Sequence, residues 1–109
     1  MSAAPGGKSS YIAQLMRNTG VLISNDLKPE RQKATSANLL RLGVQNAVVI
    51  SSDGRDLPSK FSSFDRILLD APCSGLGVIS KDPTVKLQRT LKEIHQNGHL
   101  QKELVYNPV

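Results

Sequence analysis

The chain has 109 residues and a single cysteine, with 14 Lys and Arg residues against 9 Asp and Glu residues. This is the length of one domain, and a single cysteine excludes a disulfide framework and indicates a reducing compartment. We expect neither a transmembrane segment nor a signal peptide, because no apolar run is long enough, and the net charge of +5 suits a phosphate-rich partner.

The first feature along the chain is a glycine-rich turn that leads into a predicted helix. The turn reads Ser2-Ala-Ala-Pro-Gly-Gly-Lys-Ser9, and paired glycines let a backbone pass close to a ligand. A helix is predicted over Lys8–Asn18, because Ile12, Leu15 and Met16 have nearly helical spacing. The free N–H groups of such a helix start bind a carboxylate or a phosphate. A triphosphate-binding P-loop is disfavoured because its first glycine is absent, and no dinucleotide fingerprint is present.

Each of three predicted strands is followed by an acidic residue. The strands are Val21–Asn25, Ala47–Ser51 and Phe64–Leu69, and the acids are Asp26, Asp53 and Asp70. A helix predicted over Pro29–Leu42 and ended by Gly43 separates the first two strands. One such acid is commonly a turn former or a helix cap. Three of them beside a glycine turn indicate a nucleoside-type ligand at the carboxyl edge of a parallel sheet, with Asp26 placed for ribose hydroxyls.

The third predicted strand leads into Asp70-Ala-Pro-Cys73-Ser-Gly75, which places a carboxylate beside the only thiol of the chain. A lone cysteine in a turn is usually a small packing residue that does no chemistry. The neighbouring acid and the upstream glycine turn favour a chemical role instead. The preceding segment, which begins Asp56-Leu57-Pro58 and continues rich in serine, is predicted as a loop.

The last part of the chain is basic, and a helix is predicted within Thr90–Leu104. A basic cluster follows the cysteine and consists of Lys81, Lys86, Arg89 and Lys92. We interpret this cluster as a surface that faces RNA. For an isolated run of charges, a solvated helix face would be the preferred interpretation. Aromatic residues make up only 4% of the chain, which disfavours a base-stacking platform. His95 and His99 lack a third ligand, so no zinc site is predicted.

The two loops together resemble those of the Sun/nucleolar-protein family of S-adenosylmethionine-dependent RNA cytosine-5 methyltransferases. The segment Ala3-Ala-Pro-Gly-Gly-Lys8 is similar to the family's cofactor loop, and Asp70-Ala-Pro-Cys-Ser-Gly75 to its substrate loop. Segments 77–86 and 99–104 look most like the eukaryotic nucleolar branch, which acts on large-subunit ribosomal RNA. The resemblance implies an S-adenosylmethionine site made by Ala3, Ala4, Pro5, Gly6, Gly7, Lys8, Asp26, Arg31, Asp53 and Asp70.

The resemblance also implies a fold and a division of roles. The expected fold is α/β, a Rossmann-like class I methyltransferase sheet, with residues 1–109 as a partial methyltransferase domain. Its first, central strand and its last strands are expected outside the chain, which leaves a gap between the Val21 and Ile67 strands. By resemblance, Lys8 and Asp70 contact the target cytosine and Cys73 helps to release the product. The family's attacking cysteine lies in a later Thr-Cys-Ser motif that this chain lacks, so the chain alone is expected to be inactive.

The implied partner is RNA, in particular ribosomal RNA, with pre-ribosomal particles as the setting and neither membrane nor metal involved. The expected location is the nucleolus in a eukaryote and the cytoplasm otherwise. A non-catalytic RNA-binding ribosome-assembly factor is the alternative, because it would keep the fold and the charge without turnover. An NAD-type oxidoreductase is a weaker alternative that lacks its glycine fingerprint. DNA cytosine methyltransferases share the Pro-Cys pair, but the Ser-Gly after Cys73 favours the RNA family.

Overall fold

The protein, represented by a computed structural model, is described for residues 1–73, 81 and 90–106. The chain divides into two compact units, residues 1–70 and residues 71–108. Several features predicted from the sequence lie outside the described residues: Ser74 and Gly75 of the second loop, most of segment 77–86, and the basic residues Lys86 and Arg89.

The first unit is built on a parallel pair of strands joined by a helix. Strand β1 (Leu22–Asp26) pairs with strand β2 (Ala47–Ser51) in a register that runs from Leu22 opposite Ala47 to Asp26 opposite Ser51. Helix α2 (Pro29–Arg41) makes the crossover that a parallel pair requires. The α/β prediction is confirmed, β2 has the predicted bounds, and β1 starts and ends one residue later than predicted.

Helix α1 (Gly7–Leu15) is confirmed but ends before the predicted Asn18. Arg17 and Asn18 both have left-handed backbone angles, with φ of 53° and 55°, which a continuing helix does not allow. The Asn18 N–H returns to the Ala13 carbonyl at 3.2 Å, and its side-chain amide donates to the Gly43 carbonyl at 3.1 Å. The apolar spacing that predicted the helix carries no information about these two contacts.

The segment that begins at Asp56 is predicted as a loop, and this prediction is wrong over Leu57–Lys60 but right for residues 61–63. A 3₁₀ turn over Gly54–Asp56 leads directly into a short helix, α3 (Leu57–Lys60). Asp53 caps the turn by accepting the Arg55 N–H at 2.9 Å. Pro58 lies in the first turn of α3, where a missing N–H has no helical partner to lose, and Leu57 is 4% exposed. The burial of Leu57 favours a helix here, although the polar residues around it predict a loop.

The predicted strand Phe64–Leu69 is also wrong, because the segment is not paired as a strand. The Met1 amino group donates to the Leu68 carbonyl at 2.7 Å, and the Met1 carbonyl accepts from the Asp70 N–H at 3.3 Å. These two bonds follow the pattern of a parallel strand pair, but they involve a single partner residue, Met1. Ile67 and Leu68 are 43% and 50% exposed, so the segment also lacks the cover expected on both faces. A strand requires a run of consecutive partners, which an apolar run cannot supply by itself.

A cavity of about 800 Å³ lies between β1 and the segment Phe64–Asp70. The residues that line it include Leu22–Asn25 together with Ile12 and Leu15. Partial burial there lowers the pKa of the Met1 amino group, because desolvation disfavours its charged form. The predicted gap lies between strands at Val21 and Ile67; because the Ile67 segment is not a strand, the cavity lies instead beside β1, at an edge of the two-stranded sheet.

The interior of the first unit is unusually polar, and its polar groups tie α2 to the ends of the strands. Gln32 is 6% exposed, and its amide nitrogen donates to the Ser24 carbonyl at 3.2 Å and to the Ile50 carbonyl at 2.6 Å. The Ser24 hydroxyl also lies 3.0 Å from the Ser9 hydroxyl of α1. These bonds fix the carboxyl ends of β1 and β2, which carry the candidate site.

The second unit contains helix α4 (Leu91–Tyr106), which confirms the helix predicted within Thr90–Leu104. Thr90 and Glu93 form a capping box: the Glu93 N–H donates to the Thr90 hydroxyl at 3.2 Å and the Thr90 N–H donates to the Glu93 carboxylate at 2.9 Å. Among the helices that the structure describes, none has the length and apolar character needed to cross a bilayer.

Candidate functional site

The glycine-rich turn takes a compact conformation between β1 and α1. The Gly6 N–H donates to the Ala3 carbonyl at 2.8 Å, and the Ala3 N–H donates to the Asn25 carbonyl at 2.8 Å. Gly6 has a φ of 99°, and a Cβ atom built there would lie 3.2 Å from Cγ2 of Thr35. Both the left-handed backbone and the approach of α2 require glycine at this position.

Helix α1 begins at Gly7, directly after this turn, with no acidic residue in its first turn. The N–H groups of a first helical turn have no partner within the helix, and the helix dipole makes this end electropositive. The turn therefore presents backbone donors at the sheet edge, as expected for a seat that accepts an anionic group.

Asp26 lies behind the turn and holds it in place. The residue is 1% exposed, and one carboxylate oxygen accepts the Ala4 N–H at 3.2 Å while the other accepts the Lys28 N–H at 3.2 Å. The guanidinium of Arg31 lies 3.5 Å from the same carboxylate. In the structure Asp26 thus contacts backbone groups of the site rather than open solvent.

Two side chains of α2 hold the carbonyl groups of the turn. Nη2 of Arg31 donates to the Ala4 carbonyl at 3.2 Å, and Nδ2 of Asn38 donates to the Pro5 carbonyl at 2.9 Å. Sequence reasoning identifies Arg31 as a candidate but misses Asn38. The only sequence signal for Asn38 is its i+7 spacing from Arg31, which places both on one face of α2.

Lys8 and Asp70 form an ion pair across 62 positions of sequence, one from the first turn of α1 and one from the end of the apolar segment. Both side chains are largely accessible, at 62% and 50%. An exposed pair contributes at most about 1 kcal/mol to stability. Its importance is chemical, because an ammonium and a carboxylate stand together at the rim of the glycine turn.

Asp53 lies on the same edge of the sheet as Asp26, because it closely follows Ser51, the register partner of Asp26. Arg55 engages it through a backbone N–H at 2.9 Å, through Nε at 3.0 Å and through Nη2 at 2.6 Å. These hydrogen bonds hold the pKa of the Asp53 carboxyl below its usual range.

Cys73 belongs to the second unit, where it is an exposed free thiol. The side-chain amide of Gln101 on α4 donates to the Pro72 carbonyl at 2.7 Å and so fixes the residue before the cysteine. Sequence reasoning misses Gln101. Within the described ranges, no three His, Cys, Asp or Glu side chains are grouped as metal ligands would be.

Residues 1–108 match the family model described as 16S rRNA methyltransferase RsmB/F. The chain is 55% identical over 109 residues to the 28S rRNA (cytosine-C(5))-methyltransferase of Mus musculus and spans 14% of that relative. It is 49% identical over 110 residues to the 25S rRNA (cytosine-C(5))-methyltransferase nop2 of Schizosaccharomyces pombe, of which it spans 18%. All of this chain is covered in both comparisons.

Solved structures of related proteins also match the chain. The crystal structure of NSun6 from Pyrococcus horikoshii with SFG superposes with a TM-score of 0.86 at 41% identity, covering 98% of this chain and 27% of that one. A methyltransferase homolog protein from Pyrococcus horikoshii gives a TM-score of 0.81 at 43% identity, covering 98% of this chain and 32% of that one. The resemblance inferred from the two loops and the Rossmann-like fold are both confirmed, and the chain belongs to the RsmB/F family of RNA cytosine-5 methyltransferases.

Proposed function

We propose that the chain forms the methyl-donor site and one wall of the base pocket of an RNA cytosine-5 methyltransferase that modifies large-subunit ribosomal RNA. The observation that carries the proposal is the Lys8–Asp70 pair at the rim of a glycine turn that Asp26 holds from behind. The relatives support the substrate, since those of Mus musculus and Schizosaccharomyces pombe are named as 28S and 25S rRNA cytosine-C5 methyltransferases.

The geometry of the turn suits S-adenosylmethionine. The first-turn N–H groups of α1 suit the carboxylate of its amino-acid part, and the glycine backbone allows close approach. Support also comes from the Pyrococcus horikoshii structure, which contains SFG, an analogue of S-adenosylmethionine. When bound, S-adenosylmethionine supplies an electrophilic methyl group on its sulfonium. The residues proposed to hold it are Ala3, Ala4, Pro5, Gly6, Gly7, Lys8, Asp26, Arg31, Asp53 and Asp70.

The proposed roles of the rim residues follow from the chemistry of cytosine. Carbon C5 is a poor nucleophile until a thiolate adds at C6 and raises the electron density at C5. Lys8 and Asp70 hold the polar edge of the base, and the carboxylic group steadies the charge that develops near N3 and the exocyclic amine. Cys73 serves the release step, in which the C5 proton leaves and the bond between C6 and the attacking sulfur breaks.

The attacking thiolate is proposed to come from outside these residues, because Cys73 is the only cysteine of the chain. The test therefore replaces the aligned segment of the Mus musculus relative with residues 1–109, and this hybrid is called the graft. Labelled S-adenosylmethionine and unmodified 28S rRNA report methyl transfer. We expect the graft to transfer methyl groups within about tenfold of the parent rate, a difference of about 1.4 kcal/mol.

The same graft tests the role of Cys73. The Cys73→Ala graft is expected to accumulate a covalent RNA adduct on a denaturing gel, because release and not attack is impaired. Total loss of transfer with no adduct would instead make Cys73 the attacking nucleophile. A folded, unsubstituted graft that transfers no methyl groups would overturn the proposed function.

We propose pre-ribosomal particles as partners and the nucleolus as the location in a eukaryotic cell, with the cytoplasm otherwise. The net charge of +5 supports an RNA partner. The named activities of the relatives do not favour the alternative of a non-catalytic assembly factor. Sedimentation of the tagged protein with ribosomal precursors tests this part of the proposal, and a tagged protein found only in the ribosome-free fraction would contradict it.

A further inference from the structure

We propose that Asn38 is a positioning residue for the methyl-donor site, acting through the carbonyl of Pro5; this inference rests on the proposed function. Nδ2 of Asn38 donates to the Pro5 oxygen at 2.9 Å across 33 positions of sequence. The side chain belongs to α2 and is partly buried, and nothing in the glycine turn itself indicates that it is needed.

The turn is held from two sides in two different ways. On the β1 side, Asn25 and Asp26 accept the N–H groups of Ala3 and Ala4, at 2.8 and 3.2 Å. On the α2 side, donors hold carbonyl oxygens, with Arg31 on Ala4 at 3.2 Å and Asn38 on Pro5 at 2.9 Å.

This division has an electrostatic consequence for an anionic ligand. A carbonyl oxygen that rotated toward the ligand would repel its carboxylate and weaken the field of the first α1 turn. Asn38 and Arg31 keep two such oxygens directed at α2. The backbone donors that follow, from Gly7 onward, are then left to face the ligand.

Asn38 can be tested separately from the other α2 contacts. Arg31 is also paired with Asp26, so its substitution changes two interactions. Thr35 is 0% exposed and lies against Gly6, so its substitution alters packing. Asn38 is linked to the turn through one hydrogen bond, while its Oδ1 accepts from Arg41 at 3.4 Å.

The chain offers a closely matched control. Asn18 also donates from Nδ2 to a backbone carbonyl, that of Gly43 at 3.1 Å, and accepts at Oδ1 from the Gln45 N–H at 3.1 Å. It makes these bonds beyond the opposite end of α1 from the glycine turn. In both positions Asn→Asp keeps the shape and the acceptor, removes the donor and adds a negative charge, whereas Asn38→Ala removes the donor without adding charge.

The experiment compares Asn38→Asp, Asn38→Ala and Asn18→Asp in the graft. Both Asn38 variants are expected to raise the KM for S-adenosylmethionine and the Kd for SFG, measured by calorimetry, by roughly 3- to 10-fold, with the rate at saturation little changed. Asn18→Asp is expected to lower Tm by about as much as the Asn38 variants do. It should leave the KM for S-adenosylmethionine and the Kd for SFG unchanged.

Unchanged KM and Kd in the Asn38 variants would overturn the inference, and so would an equal rise in Asn18→Asp, since that would reflect general loosening. If one Asn38 variant fails to fold, the other decides the outcome. An active unsubstituted graft with unaffected Asn38 variants refutes only the positioning role. An inactive unsubstituted graft refutes the proposed function itself, so the two failures are distinguishable.

Discussion

Asp26 illustrates how one side chain serves both stability and the site. Its two carboxylate oxygens accept N–H groups from Ala4, in the glycine turn, and from Lys28, before α2, while Arg31 balances its charge. A buried carboxylate is tolerated only with such partners. The same contacts give the turn its position relative to the sheet.

Replacing Asp26 by alanine is expected to lower the free energy of unfolding by about 2–3 kcal/mol, because two buried N–H groups lose their acceptor. In the graft it should also weaken S-adenosylmethionine binding by roughly 1–3 kcal/mol. Urea denaturation and calorimetry measure the two effects. Asp65→Ala, at an exposed position, is the control and is expected to stay within about 0.5 kcal/mol. Unchanged affinity in Asp26→Ala would remove Asp26 from the site.

Asp53 gives a prediction about pH. Hydrogen bonds from Arg55 lower its pKa below the ordinary value of 3.8. Its contribution to stability is therefore fully present above 3.8 and is lost as the pH falls through the lower folded pKa. Asp53→Asn keeps a capping oxygen but cannot titrate, so the free energy of unfolding should fall less steeply with acid in this variant. Equal acid slopes in chemical denaturation of the two proteins would contradict the prediction.

At the scale of elements, the two glycines at the start of α1 have different surroundings. Gly6 touches α2 with a left-handed backbone, whereas a Cβ atom added at Gly7 would meet no other atom within 4 Å. Gly7 also lies outside the left-handed region, since it is the first residue of α1. A side chain is therefore expected to be tolerated at Gly7 but not at Gly6.

Gly6→Ala is expected to destabilise the protein by about 1–3 kcal/mol, since the new Cβ meets Thr35 and the backbone angle becomes strained. Gly7→Ala, its matched control, is expected to be neutral or to stabilise by about 0.5–1 kcal/mol, because alanine favours the helix. Thermal and urea denaturation of the two variants measure the difference. Equal effects would show that α2 does not restrict the turn.

How well each element can be predicted depends on where its stabilising contacts lie. Helix α2 follows from local pattern, with Pro29 at its start and Gly43 past its end, and its bounds are almost those predicted. The strand predicted over Phe64–Leu69 does not form, because a strand requires a neighbouring strand to pair with. In the described chain, the backbone at the carboxyl end of this segment bonds only to Met1, through the Leu68 carbonyl and the Asp70 N–H. The loop predicted from Asp56 onward fails over Leu57–Lys60, because the buried Leu57 organises a short helix, whereas residues 61–63 are loop as predicted.

The same distinction applies to the candidate site. Asp26, Asp53 and Asp70 could be proposed because loops after predicted strands concentrate ligand contacts, and Lys8 because its glycine turn resembles the family's cofactor loop. Asn38 and Gln101 could not, because each acts on a backbone carbonyl far away in sequence, at Pro5 and Pro72. For Asn38 the i+7 spacing from Arg31 places both residues on one face of α2, but it does not indicate which carbonyl the side chain meets.

At the scale of the whole molecule, the 109-residue chain alone is expected to transfer no methyl group to RNA. It holds one cysteine, which we propose serves the release step, so that no thiolate is left to activate C5 of the base. Loss of a nucleophile alone can lower the rate by several powers of ten. The purified chain is incubated with labelled S-adenosylmethionine and large-subunit rRNA beside the graft. Stoichiometric methylation of cytosine by the chain alone would assign the attack to Cys73.

The cavity beside β1 has a consequence for how the isolated chain behaves in concentrated solution. Strand β1 is hydrogen-bonded to β2 along one edge, and along its other edge the Asn25 carbonyl accepts the Ala3 N–H beside a cavity lined in part by apolar residues such as Leu22 and Ile23. A strand edge that is only partly hydrogen-bonded can act as a template for edge-to-edge association with other polypeptides. The purified chain should therefore tend to associate with itself as its concentration rises.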